Sequence, residues 1–124
     1  MQELIQAVAT HLNDAGFAEP VVWENLKNSR TVPRYEVYLG PSKSTTKAYS
    51  GLNQSDFLIQ IDCVVTVGTG LATQIQMIDQ IATRFKAGTQ LSCGHVTARP
   101  VMGPPSKKKS EYRRPITISV RVLA

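Results

Sequence analysis

The sequence predicts an α+β fold in which two helices pack on one face of a mixed, mainly antiparallel β-sheet. Two segments carry a single apolar stripe at helical spacing, and several others alternate apolar and polar residues as half-buried strands do. Elements with one apolar face each bury it most simply in two layers, so we expect a two-layer sandwich in the order α-β-β-β-α-β-β. At 124 residues the chain has the length of one domain, and we predict a single domain over residues 1–124.

The composition is typical of a globular domain. Hydrophobic residues make up 42% of the chain and charged residues 19%, which excludes a disordered protein. The N-terminus lacks a basic region followed by a long apolar run, and no apolar run approaches the ~20 residues that span a bilayer. We therefore expect no signal peptide and no membrane segment. Two cysteines, Cys63 and Cys93, are too few for a disulfide scaffold, which indicates a cytoplasmic setting with reduced thiols.

The first part of the chain predicts one helix and two short strands, followed by a long polar segment. Apolar residues recur at every third or fourth position over residues 2–15, and Gly16 supplies a left-handed stop for this helix. Residues 21–23 are a short strand candidate, and residues 34–39 alternate as a half-buried strand does. Residues 41–55 consist mainly of Ser, Thr, Lys and Gly with almost nothing to bury, so we expect a flexible loop there.

The strongest strand signal covers residues 56–67. A strand of this length is longer than usual, so it must curve around the core or extend beyond it. The sequence Gly68-Thr69-Gly70 ends the strand, and Thr69 is the expected N-cap of the helix that follows. The apolar face of the strand is predicted to comprise Phe57, Ile59, Ile61, Cys63, Val65 and Val67.

A second helix is predicted over residues 71–85, and two further strands follow it. Gln74 lies among the polar positions of this helix. Residues 95–102 predict a weaker strand interrupted by a proline, residues 103–114 a flexible loop, and residues 115–123 an alternating strand. The apolar stripe of the helix is predicted to comprise Leu71, Ile75, Ile78, Ala82 and Phe85.

The positive charge of the chain is concentrated near its C-terminus. Residues 1–104 carry eight basic and eight acidic residues, whereas the last twenty carry six basic residues and only Glu111, which accounts for the net charge of +5. Such a loop attracts phosphate or an acidic partner surface, or it is simply a solvated loop that keeps the chain soluble. The candidate residues for contact with a partner or with DNA are Lys107, Lys108, Lys109, Arg113 and Arg114.

The sequence contains no pattern typical of catalytic, metal or cofactor chemistry. His95 follows Cys93 closely, but no acidic residue stands nearby to orient its imidazole, and His11 lies among the apolar positions of the first helix. The segment VGTGLAT places Gly-x-Gly between a strand and a helix but lacks the rest of a phosphate-binding motif. We therefore expect no catalytic residue, no cofactor and no metal, and favour a binding or assembly protein over an enzyme.

Four segments of the chain together match a known pattern. They are PVVWEN, RYEVYL with the polar segment after it, FLIQIDCVVTVGTG running into LATQIQMIDQIATRFKAGTQL, and the closing GPPSKKKSEYRRPITISVRV. In this order, from the first helix to the last strand, the chain resembles the tail terminator (tail-completion) proteins of tailed bacteriophages, a group that includes minor tail protein U-like proteins and a bacteriophage-related domain of unknown function.

The resemblance implies a structural role in a virion. Proteins of this group form a ring, commonly hexameric, that caps the tail tube, stops its polymerisation and provides the surface for head joining. The implied partners are further copies of the chain, the tail tube protein and the head–tail connector, at the head-proximal end of the tail, after synthesis in the host cytoplasm. The basic residues would then face DNA in the lumen or a neighbouring ring. The segment 41–55, with Lys43, Lys47 and Tyr49, would contact the tube or connector.

Three alternative functions remain open on the sequence. Head–tail adaptor (neck) proteins are equally small α+β domains. A small nucleic-acid-binding protein would instead use the basic loop 107–114 on its own. An uncharacterised enzyme is the weakest of the alternatives, because neither histidine has an identifiable catalytic partner.

Overall fold

The computed structural model describes residues 2–17, 21–23, 33–46, 53–68, 70–92, 94–108 and 111–123, which form two helices and eight strands. This architecture confirms the predicted α+β class. The helices are α1 (Gln2–Asp14) and α2 (Leu71–Arg84). The strands are β1 (Val21–Trp23), β2 (Arg34–Thr46), β3 (Asn53–Thr66), β4 (Gln90–Leu91), β5 (Gly94–Val96), β6 (Val101–Met102), β7 (Ser106–Lys108) and β8 (Glu111–Leu123).

The strands form one mixed sheet around a ribbon of three long strands. The order is β1-β2-β3-β8-β5-β4, and β6 and β7 also pair with β8. The β1–β2 pair is parallel and the other pairs are antiparallel. Strands β2, β3 and β8 have 13, 14 and 13 residues, more than twice the usual strand length. Strands of this length twist strongly, so the sheet curls instead of lying flat.

The apolar core lies between the two helices and the inner face of this ribbon. On β3, Ile59, Ile61 and Cys63 are fully buried, which confirms the face predicted for this strand. Burying these side chains is the main favourable contribution to folding. The other buried members of the core are Leu4, Val8, Leu12, Tyr35, Val37, Val65, Met77, Ile81, Phe85, Val96, Ile116, Ile118 and Val120.

Both segments predicted as flexible loops contain strands. The loop expected over residues 41–55 is replaced in part by strand, because β2 continues to Thr46 and β3 already begins at Asn53, while residues 47–52 lie outside the described structure. In the segment 103–114, β7 pairs with the first residues of β8. These polar segments become strands because backbone pairing with a neighbouring strand needs no apolar side chains.

Two further strand predictions need correction. The predicted strand 95–102 is two separate strands, β5 and β6, and Pro100 lies between them. Strand β4 has no counterpart among the predicted elements, because two residues carry no readable periodicity. In β2, the register with β3 shifts between Leu39 and Ser42, so the strand passes Pro41 through a bulge, where a missing N–H is tolerated.

Helix α2 is rotated relative to its predicted orientation. Leu71 and Ile75, predicted to be buried, are 62% and 52% exposed, whereas Gln74 is almost fully buried. The Gln74 side-chain amide donates hydrogen bonds to the backbone carbonyls of Cys63 (3.0 Å) and Tyr112 (3.3 Å). This polar anchor fixes the helix on the β3–β8 pair and turns part of its apolar stripe away from the core.

The start of α2 also differs from the prediction. The N-cap is Gly70 rather than Thr69, and it forms no side-chain capping hydrogen bond. A Cβ placed on Gly70 would lie 2.6 Å from the Cβ of Val65, so the helix begins in close contact with β3. Only glycine fits at this approach without displacing the strand.

The C-terminal ends of the two helices cap each other. His11 Nε2 lies 2.7 Å from the Arg84 carbonyl oxygen and donates to it, and Arg84 Nε donates to the His11 carbonyl at 3.0 Å. Both carbonyls belong to last helical turns, where carbonyl groups have no N–H donor within their own helix. Gly16 lies just beyond the end of α1, and its φ of 65° confirms the predicted left-handed stop.

Replacing Gln74 by Ala is expected to lower the free energy of unfolding by about 2 kcal/mol, because the buried Cys63 carbonyl and the partly buried Tyr112 carbonyl then have no side-chain donor. The measurement is urea denaturation followed by circular dichroism. Gln76→Ala is the matched control, since Gln76 is exposed on the same helix and its replacement should change stability by less than about 0.5 kcal/mol. Equal effects of the two substitutions would contradict the anchoring role of Gln74.

Candidate interaction surface

The β7–β8 hairpin distributes the predicted basic contact residues over two faces of the sheet. Lys107 pairs with Tyr112, and because side chains alternate along a strand, Lys107 shares the helix-side face with Arg114. Arg113 lies on the opposite, outer face. The backbone of Lys108 lies in β7, and Lys109 lies outside the described residues. The structure therefore does not gather this set into one basic patch.

Arg113 is surrounded by carboxylates of this same chain. Its guanidinium lies 2.7 Å from Glu36, 3.0 Å from Glu111 and 3.7 Å from Asp62. Burial alone would lower the pKa of Arg113, but hydrogen bonding and attraction to Glu36 outweigh it and raise the pKa. The positive charge of Arg113 is thus compensated inside the protein, so this residue contributes little to an external basic surface.

Arg34 completes a closed circuit of ion pairs on the outer face. It lies 2.6 Å from Glu36 and 2.9 Å from Glu111, the two carboxylates that also hold Arg113. The pairing register places Val64 between Arg34 and Arg113, and Val64 is fully buried. The circuit therefore closes over an apolar residue and joins β2 to β8 across β3. We refer to Arg34, Glu36, Asp62, Glu111 and Arg113 as the charged cluster.

The two carboxylates of this circuit are stabilised in their ionised forms. Burial alone would raise the pKa of Glu36, but hydrogen bonds from Tyr38, Arg113 and Arg34 outweigh it and lower the pKa. The hydrogen bond from Arg34 is the largest cause of the lowered pKa of Glu111. Both groups are therefore acceptors for the arginines at neutral pH.

Among the carboxylates of the charged cluster, Asp62 is the one whose negative charge its neighbours compensate least. Its side chain is 10% exposed, it accepts a hydrogen bond of 2.8 Å from Gln60, and Arg113 is 3.7 Å away. Burial raises the pKa of Asp62 by more than these two neighbours lower it. The ionised form of Asp62 therefore opposes folding, although the ionised form of Glu36, directly across the β2–β3 pair, favours it.

The second predicted contact segment lies partly outside the described structure. The backbone of Lys43 pairs with Asp56 in the β2–β3 hairpin. Lys47 and Tyr49 lie outside the described residues.

Cys63 and His11, two residues that sequence reasoning weighed for chemistry, serve structural roles. Cys63 is buried in the core, His11 joins the two helices, and Cys93 lies outside the described residues. Among the described residues, no group of three or more His, Cys, Asp or Glu side chains is placed to bind a metal ion. In the same part of the chain, neither helix has the length and apolar character needed to cross a membrane.

An open cleft of about 690 Å³ lies where the C-terminal ends of α1 and α2 meet. Sequence patterns do not indicate it, because its residues come from segments that are distant along the chain. They do not indicate the charged cluster either. In the sequence, the cluster shows only as acidic and basic residues at the polar positions of three alternating segments. The ion pairs depend on the pairing register of the strands, and alternation does not give that register.

The chain is thus an α+β domain with a curled mixed sheet that is covered by helices on one face and joined by ion pairs on the other. The model of the phage tail terminator protein family matches residues 3–120. The chain belongs to the phage tail terminator family, as its sequence segments predicted, and is thus a structural protein of a phage tail.

Solved structures share this fold at low sequence identity. In one of them a chain is 18% identical with a TM-score of 0.73, and the match covers 99% of this chain and 94% of that one. A chain from the virion of a native gene transfer agent particle is 16% identical with a TM-score of 0.56, covering 96% of this chain and 93% of that one. No curated protein matches the sequence significantly.

Two substitutions in the charged cluster are expected to act in opposite directions. Glu36→Gln should lower the free energy of unfolding at pH 7 by about 3 kcal/mol, because it removes one of the two carboxylates that Arg34 and Arg113 share. Asp62→Asn keeps an acceptor for Gln60 and should leave stability unchanged or raise it. Urea denaturation of both variants at pH 7 tests this, and a larger loss of stability for Asp62→Asn would contradict the opposite pKa shifts of the two groups.

The contributions of Glu36 and Asp62 to the free energy of unfolding change with pH in opposite directions. The pKa of Glu36 is lowered from 4.5, so its contribution is present above pH 4.5 and is lost as pH falls through the folded value. The pKa of Asp62 is raised from 3.8, so its contribution is present below pH 3.8 and is lost as pH rises through the folded value. The stability difference between wild type and Glu36→Gln should therefore shrink on acidification, which urea denaturation at a series of pH values measures.

Proposed function

We propose that this tail protein assembles as a ring, hexameric as is common in its family, that caps the tail tube and stops its polymerisation. The ring would lie at the head-proximal end of the tail and provide the surface onto which the head connector docks. The observation that carries the proposal is the family match over residues 3–120. The proposed role needs neither catalysis nor a cofactor.

The distribution of exposed apolar side chains supports an assembling subunit. A closed ring requires two different, mutually complementary patches on each subunit. Leu71, Ile75, Val101 and Met102 are all at least 48% exposed. Leu71 and Ile75 lie one helical turn apart on α2, and neighbouring exposed apolar residues are typical of regions covered by a partner.

The basic hairpin supports a second contact, with lumen DNA or with an adjacent ring. Because Arg113 is compensated by the charged cluster, we assign this contact to the remaining basic residues of the segment 107–114. Those are Lys107, Lys108, Lys109 and Arg114. The segment 41–55, with Lys43, Lys47 and Tyr49, is the proposed contact with the tube or connector.

Removal of this gene from the phage that encodes it should give headless tails of uncontrolled, excessive length, since nothing would stop polymerisation. Electron microscopy of the lysate, with length distributions before and after complementation, is the measurement. A head–tail adaptor predicts a different result, namely tails of normal length that fail to join heads. Normal tail lengths without the gene would therefore exclude the terminator role.

Lys108→Ser combined with Lys109→Ser should weaken the contact with duplex DNA and flatten its salt dependence. The log–log slope should fall by up to about 0.9 for each phosphate that no longer meets a lysine. The measurement is binding of a short duplex to the assembled protein between low and physiological salt. Arg113→Ser is the comparison, because it should lower stability without changing the slope. An unchanged slope together with unchanged infectivity of the double variant would rule out a DNA contact by these two lysines.

A further inference from the structure

We infer that the start of α2 and the strands beside it form a docking surface for a partner protein whose surface is both acidic and apolar. The inference rests on the contact with DNA or an adjacent ring that we proposed for the basic segment, and it assigns two of those basic residues to a protein other than a second copy. We refer to this surface as the α2 patch. Its members are Leu71, Ile75, Met102, Lys107 and Arg114.

Helix α2 begins above β3 and runs towards β2. A Cβ added to Gly70 would lie 2.6 Å from the Cβ of Val65, so the start of the helix lies against β3. Nearer its other end, Gln80 accepts a hydrogen bond of 2.6 Å from the hydroxyl of Tyr35, which lies on β2. The N-terminal end of α2 is therefore on the side of β8 and β7, away from β2.

Strand alternation places two basic residues beside this helix start. Val65 pairs with Tyr112 and Tyr112 pairs with Lys107, so Lys107 is two strands, or roughly 10 Å, from the strand position beneath the helix start. Arg114 lies two residues beyond Tyr112 on the same face of β8. Lys107 is exposed, and neither Lys107 nor Arg114 forms an ion pair with another described residue. The buried Nε of Arg114 has no hydrogen-bond acceptor either.

The exposed apolar residues of α2 lie on the flank that faces these two cations. Gln74 donates to backbone carbonyls of β3 and β8, so it marks the line along which the helix faces the sheet. Each helical residue turns by roughly 100°, which places Gln80 roughly 120° from Gln74 in one sense. In the other sense, Leu71 and Ile75 lie roughly 60° and 100° from Gln74. Because Gln80 faces β2, Leu71 and Ile75 face β8, and both are more than half exposed.

Met102 extends the apolar part of the patch across β8. It pairs with Ile116, which is buried in the core, so the Met102 side chain lies on the helix-side face. Ile116 follows Arg114 by two residues on the same face of β8, so Met102 and Arg114 are diagonal neighbours. Met102 is 48% exposed. Three exposed apolar side chains and two cations thus share one surface.

The N-terminal end of α2 adds to the positive character of the patch. Gly70 forms no side-chain capping hydrogen bond, and the first turn contains no acidic residue. The first N–H groups of a helix have no acceptor within the helix, and together they carry partial positive charge, which favours carboxylates. Asp79 is the acidic residue on this flank, one turn beyond Ile75. It lies roughly 12 Å along the axis from Leu71, beyond the roughly 8–10 Å over which exposed charges interact in physiological salt.

A protein surface that presents carboxylates beside apolar side chains complements the whole patch. DNA phosphates would pair with the two cations and with the helix start. Interfaces with DNA, however, are more polar and more positively charged than interfaces between proteins, whereas three of the five members of this patch are apolar. A partner protein with both kinds of group pairs with the cations and covers the apolar side chains together.

Another copy of this chain is a poor source of such carboxylates. The chain has a net charge of +5, so two copies repel each other overall. In the open cleft at the helix ends, two basic residues balance Asp14 and Asp79. Four of the nine acidic residues already form ion pairs within the chain, namely Glu36, Asp56, Asp62 and Glu111. The partner is therefore a different, acidic protein of the particle.

Photo-cross-linking in the phage that encodes this protein tests the inference. p-Benzoylphenylalanine, a photoreactive residue, replaces Leu71 in one variant and Ile75 in another, and the exposure of both positions leaves room for it. Assembled particles are irradiated, and mass spectrometry identifies the peptide that is joined to this chain. The expected product contains a different structural protein, linked through a peptide in which Asp or Glu stands beside apolar residues.

A single charge reversal tests the chemistry of the contact. Lys107→Glu should lower the cross-linking yield at Ile75 at least about tenfold, because it opposes like charges in the contact. Lys107→Arg should retain the yield. Arg99→Glu is the matched control, since it makes the same change of charge at an exposed position outside the patch and should leave the yield unchanged. Arg114 is not replaced, because its Nε is buried. Thermal unfolding establishes that each variant is folded.

Several results would overturn the inference. A product that joins two copies of this chain would assign the patch to self-association, and a product that nuclease digests would assign it to DNA. Absence of a product from both positions, a joined peptide without acidic residues, or a yield that Lys107→Glu leaves unchanged would each contradict the proposed chemistry. The tail-length experiment does not depend on this surface, so the capping function and this contact can fail separately.

Discussion

The pairing register of β2, β3 and β8 is the constraint on which the rest of this structure depends. Side chains alternate between the faces of a sheet, so one register decides both the core and the charged surface. On the inner face it aligns Val37, Ile61 and Ile116 beneath the helices. On the outer face it aligns Glu36 with Asp62. A slip by one residue would exchange the two faces, placing charges against the helices and apolar residues outside.

The charged cluster and the apolar core contribute to this register in different ways. Burial of the apolar rows supplies most of the favourable free energy of folding. Ion pairs that are largely buried gain little net stability, because pairing mainly offsets the loss of hydration. A misaligned ribbon, however, would leave Arg34 or Arg113 buried without a carboxylate, which is costly. We therefore interpret the cluster as a feature that penalises wrong registers, with Asp62 as the position where the compensation is incomplete.

The features that the sequence predicted correctly are those that depend on local periodicity. Helix α1, strand β1, the inward face of β3 and the α+β class all follow from the spacing of apolar residues. Periodicity could not predict the polar ends of β2 and β3 or the β7–β8 hairpin. These segments form strands because their backbones pair with neighbouring strands. The rotation of α2 has a similar cause, because the carbonyl acceptors of Gln74 lie 11 and 38 residues away along the chain. At the candidate surface, the sequence located the basic residues but not the acidic groups that neutralise Arg113.

This partial neutralisation changes how the net charge of +5 is interpreted. A basic loop with all of its charges free would favour a simple electrostatic contact with DNA. Strand alternation instead places Arg113 in the charged cluster and leaves Lys107 and Arg114 on the helix-side face. The basic segment thus joins the three-strand ribbon through Arg113 on one face, while its remaining basic residues are left for the contact with lumen DNA or an adjacent ring that we propose.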